Sequence, residues 1–125
     1  MKTVISAAGA PAAIGPYSHA IATGNFLFTS GQIALDPATG KLAGDSIEVQ
    51  AEQVLKNLEA VLTSNDMTFA NVIKTTVFLT DLADFAVVNG IYATRFPENP
   101  PARSCVQVAG LPGGSKIEIE LIACK

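Results

Sequence analysis

From Ser46 onward apolar residues recur at helical spacing: Ile47, Ala51, Val54, Leu55, Leu58, Val61 and Leu62 share one stripe, while Glu48, Glu52, Lys56 and Glu59 fall off it. The spacing predicts an amphipathic helix, with Asp45 or Ser46 as the residue whose side-chain oxygen satisfies its first free N–H groups. Elsewhere the period shortens. Lys2 to Ser6 reads as a short strand, and Tyr17 to Thr23 and Asn25 to Ile33 as a hairpin around Thr23-Gly24-Asn25. DPATGKLAGD, broken by Pro37, Gly40 and Gly44, is a loop. NVIKTTVFLT, Asn71 to Thr80, is rich in β-branched residues and reads as a central strand. A second helix, capped by Asp81 or Asp84, carries Phe85, Val88, Ile91, Tyr92 and Phe96 on one stripe and is ended by Pro97. Ala102 to Ala109 and Lys116 to Ala123 are the last two strands, flanking the turn GLPGGS. The order βββαβαββ predicts an α+β fold, a mixed sheet of about six strands with two helices on one face.

Two helices cover one face of such a sheet and leave the other bare. Yet FLFTS and VIKTTVFL are apolar at odd and even positions alike, so both faces of those strands call for burial. A second copy of the chain is the simplest cover, and a homo-oligomer is expected.

Composition narrows the partners. The 125 residues fit one domain, residues 1–125, and 49% hydrophobic against 15% charged residues suits a compact protein with few charges to spare for its surface. Net charge is −3, and the eight Lys and Arg residues are scattered, which disfavours nucleic acid as a partner. Gly9, Pro11, Gly15 and Pro16 interrupt the small apolar residues of the N-terminus before a signal-peptide core forms, and no run reaches membrane-spanning length. Two cysteines, Cys105 and Cys124, make neither a disulfide framework nor a metal motif, so the expectation is a reduced, cytoplasmic protein without metal. Gly24, Gly31 and Gly40 form no phosphate-binding fingerprint, and no cofactor is expected.

Candidate chemistry concentrates in FPENPPARSCVQVAG and KIEIE. Alternation along a strand points Arg103, Cys105 and Gln107 to one side. Ile117, Ile119 and Leu121 likewise share an apolar face, with Lys116, Glu118 and Glu120 opposite. If the apolar sides meet the helices, Arg103, Cys105 and the two carboxylates lie together on the bare face. Arg103 offers a planar fork that matches a carboxylate, but spacing alone favours an ion pair to Glu118 or Glu120 across adjacent strands. Glu118 is a general acid/base if burial raises its pKa; otherwise it is a salt-bridge partner or a solvated edge. No second feature supports a thiolate at Cys105, which reads better as a small residue lining a pocket. His19, the sole histidine, is expected on a strand at the surface. Tyr17 follows the rigid Ile14-Gly15-Pro16 corner, which fixes its hydroxyl or merely its packing. Ser30 and Gly31 end a strand where a ligand could approach closely, or where a β-bulge forms.

Several of these segments share one pattern. AAIGPYSHAI, FTSGQI, NVIKTTVFLTDLADFAVVN, FPENPPARSCVQVAGLP and KIEIELIA resemble, in order and spacing, the Rid (YjgF) family of reactive-intermediate deaminases, also described as the L-PSP endoribonuclease family. The resemblance runs over nearly the whole chain and is most specific at PARSCV and KIEIE. It implies a chorismate-mutase-like fold assembled as a homotrimer around a central β-barrel, with clefts between subunits. It further implies hydrolysis of enamine and imine acids, such as 2-aminoacrylate and 2-iminobutanoate, to 2-oxo acids and ammonia, without a cofactor. In that pattern Arg103 binds the substrate carboxylate and Glu118 positions or activates water. Tyr17, Ser30, Gly31, Asn89 and Cys105 line the cleft, with Tyr17 and Cys105 as further candidates for the chemistry. The competing readings are a regulatory trimer that binds small carboxylates without turnover, and a ribonuclease or translation inhibitor, which the acidic pI and lone histidine disfavour.

Overall fold

The helical stripe folds as predicted. A computed structural model describing residues 1–125 contains helix α1 (Ile47–Thr63) and a shorter helix α2 (Phe85–Ala93). Of the two candidate caps for α1, Ser46 serves: its Oγ accepts the Val49 N–H at 3.2 Å, an interaction typically worth about 1 kcal/mol. Asp81 and Asp84 divide differently from expectation. Asp81 caps a 3-10 turn at Leu82–Asp84, whereas Asp84 itself makes no side-chain cap for α2. Helix α2 also stops at Ala93, short of Pro97. There Thr94, Arg95 and Phe96 donate to carbonyls three residues back, tightening the last turn so that Phe96 still reaches the core.

The sheet has seven strands: β1 (Thr3–Ile5), β2 (Ala20–Thr23), β3 (Phe26–Thr29), β4 (Gln32–Ile33), β5 (Val72–Leu79), β6 (Ala102–Gln107) and β7 (Ile117–Cys124). They lie in the order β1-β2-β3-β7-β5-β6, with β4 also on β7. The fold class is therefore the expected mixed α+β, with one strand more than the pattern indicated. The expected strand Asn25 to Ile33 is split into β3 and β4 at Ser30-Gly31. Phe28 pairs with Ile122 and Gln32 with Ile119, so four steps on one strand face three on the other, which is a bulge. The expected strand from Tyr17 begins only at Ala20, because the Tyr17 N–H turns back to Gly15 O at 2.8 Å and Ser18 O takes the Ser30 hydroxyl at 2.6 Å.

Strand β5 is central as predicted, but its neighbours change the geometry. It pairs antiparallel with β7 and parallel with β6, so β6 and β7 flank it instead of lying adjacent. Register then decides the faces. Val77 opposes both Ile119 and Cys105, and Thr75 opposes both Leu121 and Arg103. Phe78 and Thr76 instead oppose Glu118 and Glu120. Arg103 and Cys105 therefore share the face of Ile117, Ile119 and Leu121, while Glu118 and Glu120 lie on the other, which overturns the expectation that all four sit together.

Both helices cover the first face. Val54, Leu58, Val61 and Leu62 of α1 join Leu27, Val77, Leu79, Ile117, Ile119 and Leu121 in one buried cluster, and Tyr92 of α2 bonds Thr75 on the same side. The second face is open. Phe26, Phe28, Val4 and Val106 are each more than two-fifths exposed there, sharing the face with the polar Lys74, Thr76, Ser104, Glu118 and Glu120. No helix is long and apolar enough to cross a membrane.

Candidate active site

Arg103 stands near the start of β6, on the edge of the sheet, just behind Pro100 and Pro101. Its Nη1 donates to Asn89 Oδ1 at 2.8 Å, across to α2. Its guanidinium carbon lies 4.9 Å from the Tyr92 ring centroid and 5.3 Å from that of Phe85. No carboxylate pairs with it: the chain's ion pair joins Arg95 to Glu52 at 2.9 Å. The expected salt bridge to Glu118 or Glu120 is absent because β5 separates β6 from β7 and the carboxylates face away. Asn89, Tyr92, Phe96, Pro100, Pro101 and Arg103 line a cavity of ≈ 450 Å³. Cys105 lies two residues along the same face, against Leu82 and Phe85. Burial pushes its thiol up, more than the Arg103 charge draws it down, so the sulfur is held as a thiol.

Glu118 belongs to a second cavity, ≈ 290 Å³, lined by Ile14, Tyr17, Ser30, Gly31, Ile33, Pro112 and itself. The bulge builds this cavity. A Cβ on Gly31 would fall on the Glu118 carboxyl, 2.7 Å from its Cδ, so the missing side chain leaves the room that the carboxyl occupies. Burial raises the Glu118 pKa above the usual carboxylate range, and the neighbouring Glu120 charge raises it further. Close approach and bulge thus both operate at Ser30-Gly31. Ser30 itself is committed to the backbone: its Oγ donates to Ser18 O at 2.6 Å and its N–H to His19 O at 2.9 Å.

His19 corrects another expectation, being 8% exposed and outside any strand. Its Nδ1 accepts the Ala7 N–H at 2.9 Å, which leaves Nε2–H to donate to Pro11 O at 2.7 Å. The ring thereby ties the N-terminal loop to the turn that presents Tyr17. From helix α1, Asn57 Nδ2 donates to Ile33 O and Leu35 O at 3.2 and 2.9 Å. Gln50 accepts the Lys116 N–H at 2.8 Å and donates to Gly44 O at 2.9 Å. These amides are 1% exposed. Sequence reading passed them over, although Gln50, Val54, Asn57 and Val61 follow helical spacing along the buried stripe. The rings around Arg103 were read only as core residues, because nothing in their spacing says that a cation lies on them.

The arrangement is two half-sites on opposite faces: a cation with free N–H groups on one, a carboxyl inclined to hold a proton on the other. No group of three or more His, Cys, Asp or Glu side chains stands close enough to hold a metal ion.

The sequence model of a family described as Endoribonuclease L-PSP matches residues 7–125. The chain belongs to this family, the Rid or YjgF family. Among its Rid relatives, "Reactive Intermediate Deaminase A, chloroplastic" of Arabidopsis thaliana is 53% identical over 122 residues; the match takes in 98% of this chain and 65% of that protein's length. A 2-iminobutanoate/2-iminopropanoate deaminase of Rattus norvegicus is 50% identical over 123 residues, 98% of this chain and 90% of the relative. In solved structures the fold is that of the Rid-family protein YyfA from Yersinia pestis, with TM-score 0.97, 47% identity and full coverage of both chains. Relatives with deaminase names thus stand at about half identity to this chain.

Proposed function

We propose that the protein hydrolyses small enamine and imine acids, 2-aminoacrylate and 2-iminobutanoate among them, to 2-oxo acids and ammonia. The observation that carries the reading is Arg103, oriented by Asn89, Phe85 and Tyr92 yet unpaired with any acid. An arginine so placed suits a substrate carboxylate, which its remaining N–H groups can take through charge-assisted bonds. Rat and Arabidopsis relatives with deaminase names support the same chemistry.

The two half-sites are joined by a second copy. The apolar face of the sheet is the surface it covers, in a homotrimer around a central barrel, so that Arg103 of one subunit and Glu118 of the next address one cleft. An enamine first takes a proton at carbon to become the protonated imine. Water then adds to the electrophilic carbon as Glu118 accepts its proton; Glu118 returns that proton to nitrogen, and the tetrahedral adduct expels ammonia as its hydroxyl proton passes to solvent, leaving the 2-oxo acid. Tyr17, Ser30, Gly31 and Asn89 shape the cleft, and Cys105 lines it as a neutral thiol. His19, with both ring nitrogens bonded to backbone groups, is poorly disposed to serve a ribonuclease, and the net charge of −3 disfavours RNA. Two unbridged cysteines suit a reducing compartment such as the cytoplasm.

The test generates 2-iminobutanoate from threonine with a dehydratase and follows 2-oxobutanoate release against a semicarbazide trap. The wild type accelerates release and Arg103→Ala abolishes most of the acceleration. Equal acceleration by Arg103→Ala defeats the mechanism, and binding of 2-oxobutanoate without turnover points instead to a regulatory carboxylate-binding protein.

A further inference from the structure

Arg103 sits on an edge strand with its side chain largely outside the core, where a long cationic chain ordinarily samples many rotamers. A protein can hold such a group with a carboxylate, but that partner consumes N–H donors and cancels the charge. Here the holding groups are ring faces. Tyr92 is 6% exposed, and its hydroxyl shares a 2.7 Å hydrogen bond with Thr75 Oγ1, which is 1% exposed on β5. Behind it the rings continue: Tyr92 lies 4.7 Å from Phe96, and Phe96 meets Phe69 edge-on at 5.4 Å. Thr75 opposes Arg103 in the sheet register, so the strand pairing that places the arginine also places the hydrogen-bond partner of the Tyr92 hydroxyl.

We propose that Tyr92 is a positioning residue for Arg103, its ring face pre-orienting the guanidinium toward an anion, while the Thr75 bond satisfies the buried phenol hydroxyl beneath. This rests on the reading of Arg103 as the carboxylate-binding group. Attraction between a cation and a ring face uses none of the guanidinium's N–H groups, so apart from the one that Asn89 takes they stay available for substrate. Pre-orientation raises affinity by removing rotamer freedom before binding. Burial pushes the Tyr92 phenol up, outweighing the Thr75 bond and the Arg103 charge that draw it down, so no phenolate forms to neutralise the arginine. Asn89 then sets direction by one hydrogen bond, and Phe85 closes the other side.

The experiment compares Tyr92→Leu, which removes the ring face, with Tyr92→Phe/Thr75→Val, which keeps the ring and removes both partners of the buried bond. Arg95 and Arg103 are the only arginines, so two side-chain Nε–H signals report by NMR. The wild-type Arg103 signal is expected upfield of that of Arg95 through ring current, and Tyr92→Leu returns it toward the free-chain position. With the ring gone, the Kd for 2-oxobutanoate and the KM for 2-iminobutanoate rise about tenfold, with a smaller change in kcat. The Phe/Val double variant stays within about threefold of wild type. An unshifted wild-type Arg103 signal overturns the proposal. So does a folded Tyr92→Leu protein with unchanged Kd, or a double variant as weak as Tyr92→Leu. If Tyr92→Leu does not fold, the wild-type spectrum and the double variant decide. A wild type that neither binds 2-oxobutanoate nor turns over imine defeats the functional reading, while the Arg103 signal still judges the clamp.

Discussion

Gly31 leaves open the space that the Glu118 carboxyl fills, and a single methyl there tests whether that placement matters. Its backbone φ is not positive, so alanine is accommodated without strain, and the atoms it would strike are the far end of a flexible side chain. Gly31→Ala should therefore melt within a few degrees of wild type while kcat/KM falls roughly 10- to 100-fold, as expected when a reacting group is displaced; thermal unfolding and the coupled assay together check this. Glu118 also fixes a pH dependence. Its pKa is raised by burial and by Glu120, and a general base acts deprotonated. The acid limb of kcat/KM should thus lie above the usual carboxylate range and move down in Glu120→Gln. Stability runs the other way. A raised folded-state pKa means stabilisation that is present below the unfolded-state pKa and lost as pH rises through the folded one. Glu118→Gln should accordingly raise Tm relative to wild type at pH 7, with the advantage shrinking in acid. The types of these residues were legible in PARSCV and KIEIE, but their relation was not. Alternation sorts residues within one strand, and the relative face of Arg103 and Glu118 depends on which strand lies between them.

Helix α1 does more than cover the sheet. Its apolar stripe was legible from Ser46 onward because helical spacing is a local signal. Its two buried amides bind backbone outside the helix, at Gly44 just before it and far away in sequence at Ile33, Leu35 and Lys116. Asn57→Ala would leave two carbonyls without that donor, and should cost roughly 2–4 kcal/mol in urea unfolding. Ser46→Ala, losing one exposed cap bond, should cost about 1 kcal/mol. If the two costs are equal, Asn57 is not the brace described. Element boundaries were legible where a breaker marks them and not where side chains do the work. The split of β3 from β4 follows from Glu118 and Thr29, whose hydroxyl accepts the Leu121 N–H at 3.0 Å, and neither contact is local. The adjacency expected of the last two strands failed for a similar reason: β5, some thirty residues earlier, inserts between them.

The whole molecule presents an arginine on one face of a sheet and a glutamate on the other, with exposed Phe26, Phe28, Val4 and Val106 beside the latter. Under the proposed assembly every cleft draws on two chains. Arg103→Ala and Glu118→Ala proteins, each inactive alone, should recover about a quarter of wild-type activity when co-folded in equal amounts, since random assembly joins intact halves at that frequency; no recovery in mixed oligomers confirmed by mass would refute the shared cleft. The two-sided apolar pattern in FLFTS and VIKTTVFL made the need for a cover legible, because exposure of both faces is a property of the strands themselves. Dividing the chemistry between the faces has a kinetic result as well. In the proposed assembly a newly made chain is incapable of turnover until it meets its neighbours. Specific activity should therefore climb with protein concentration and then level off, so that dilution alone switches the catalyst off.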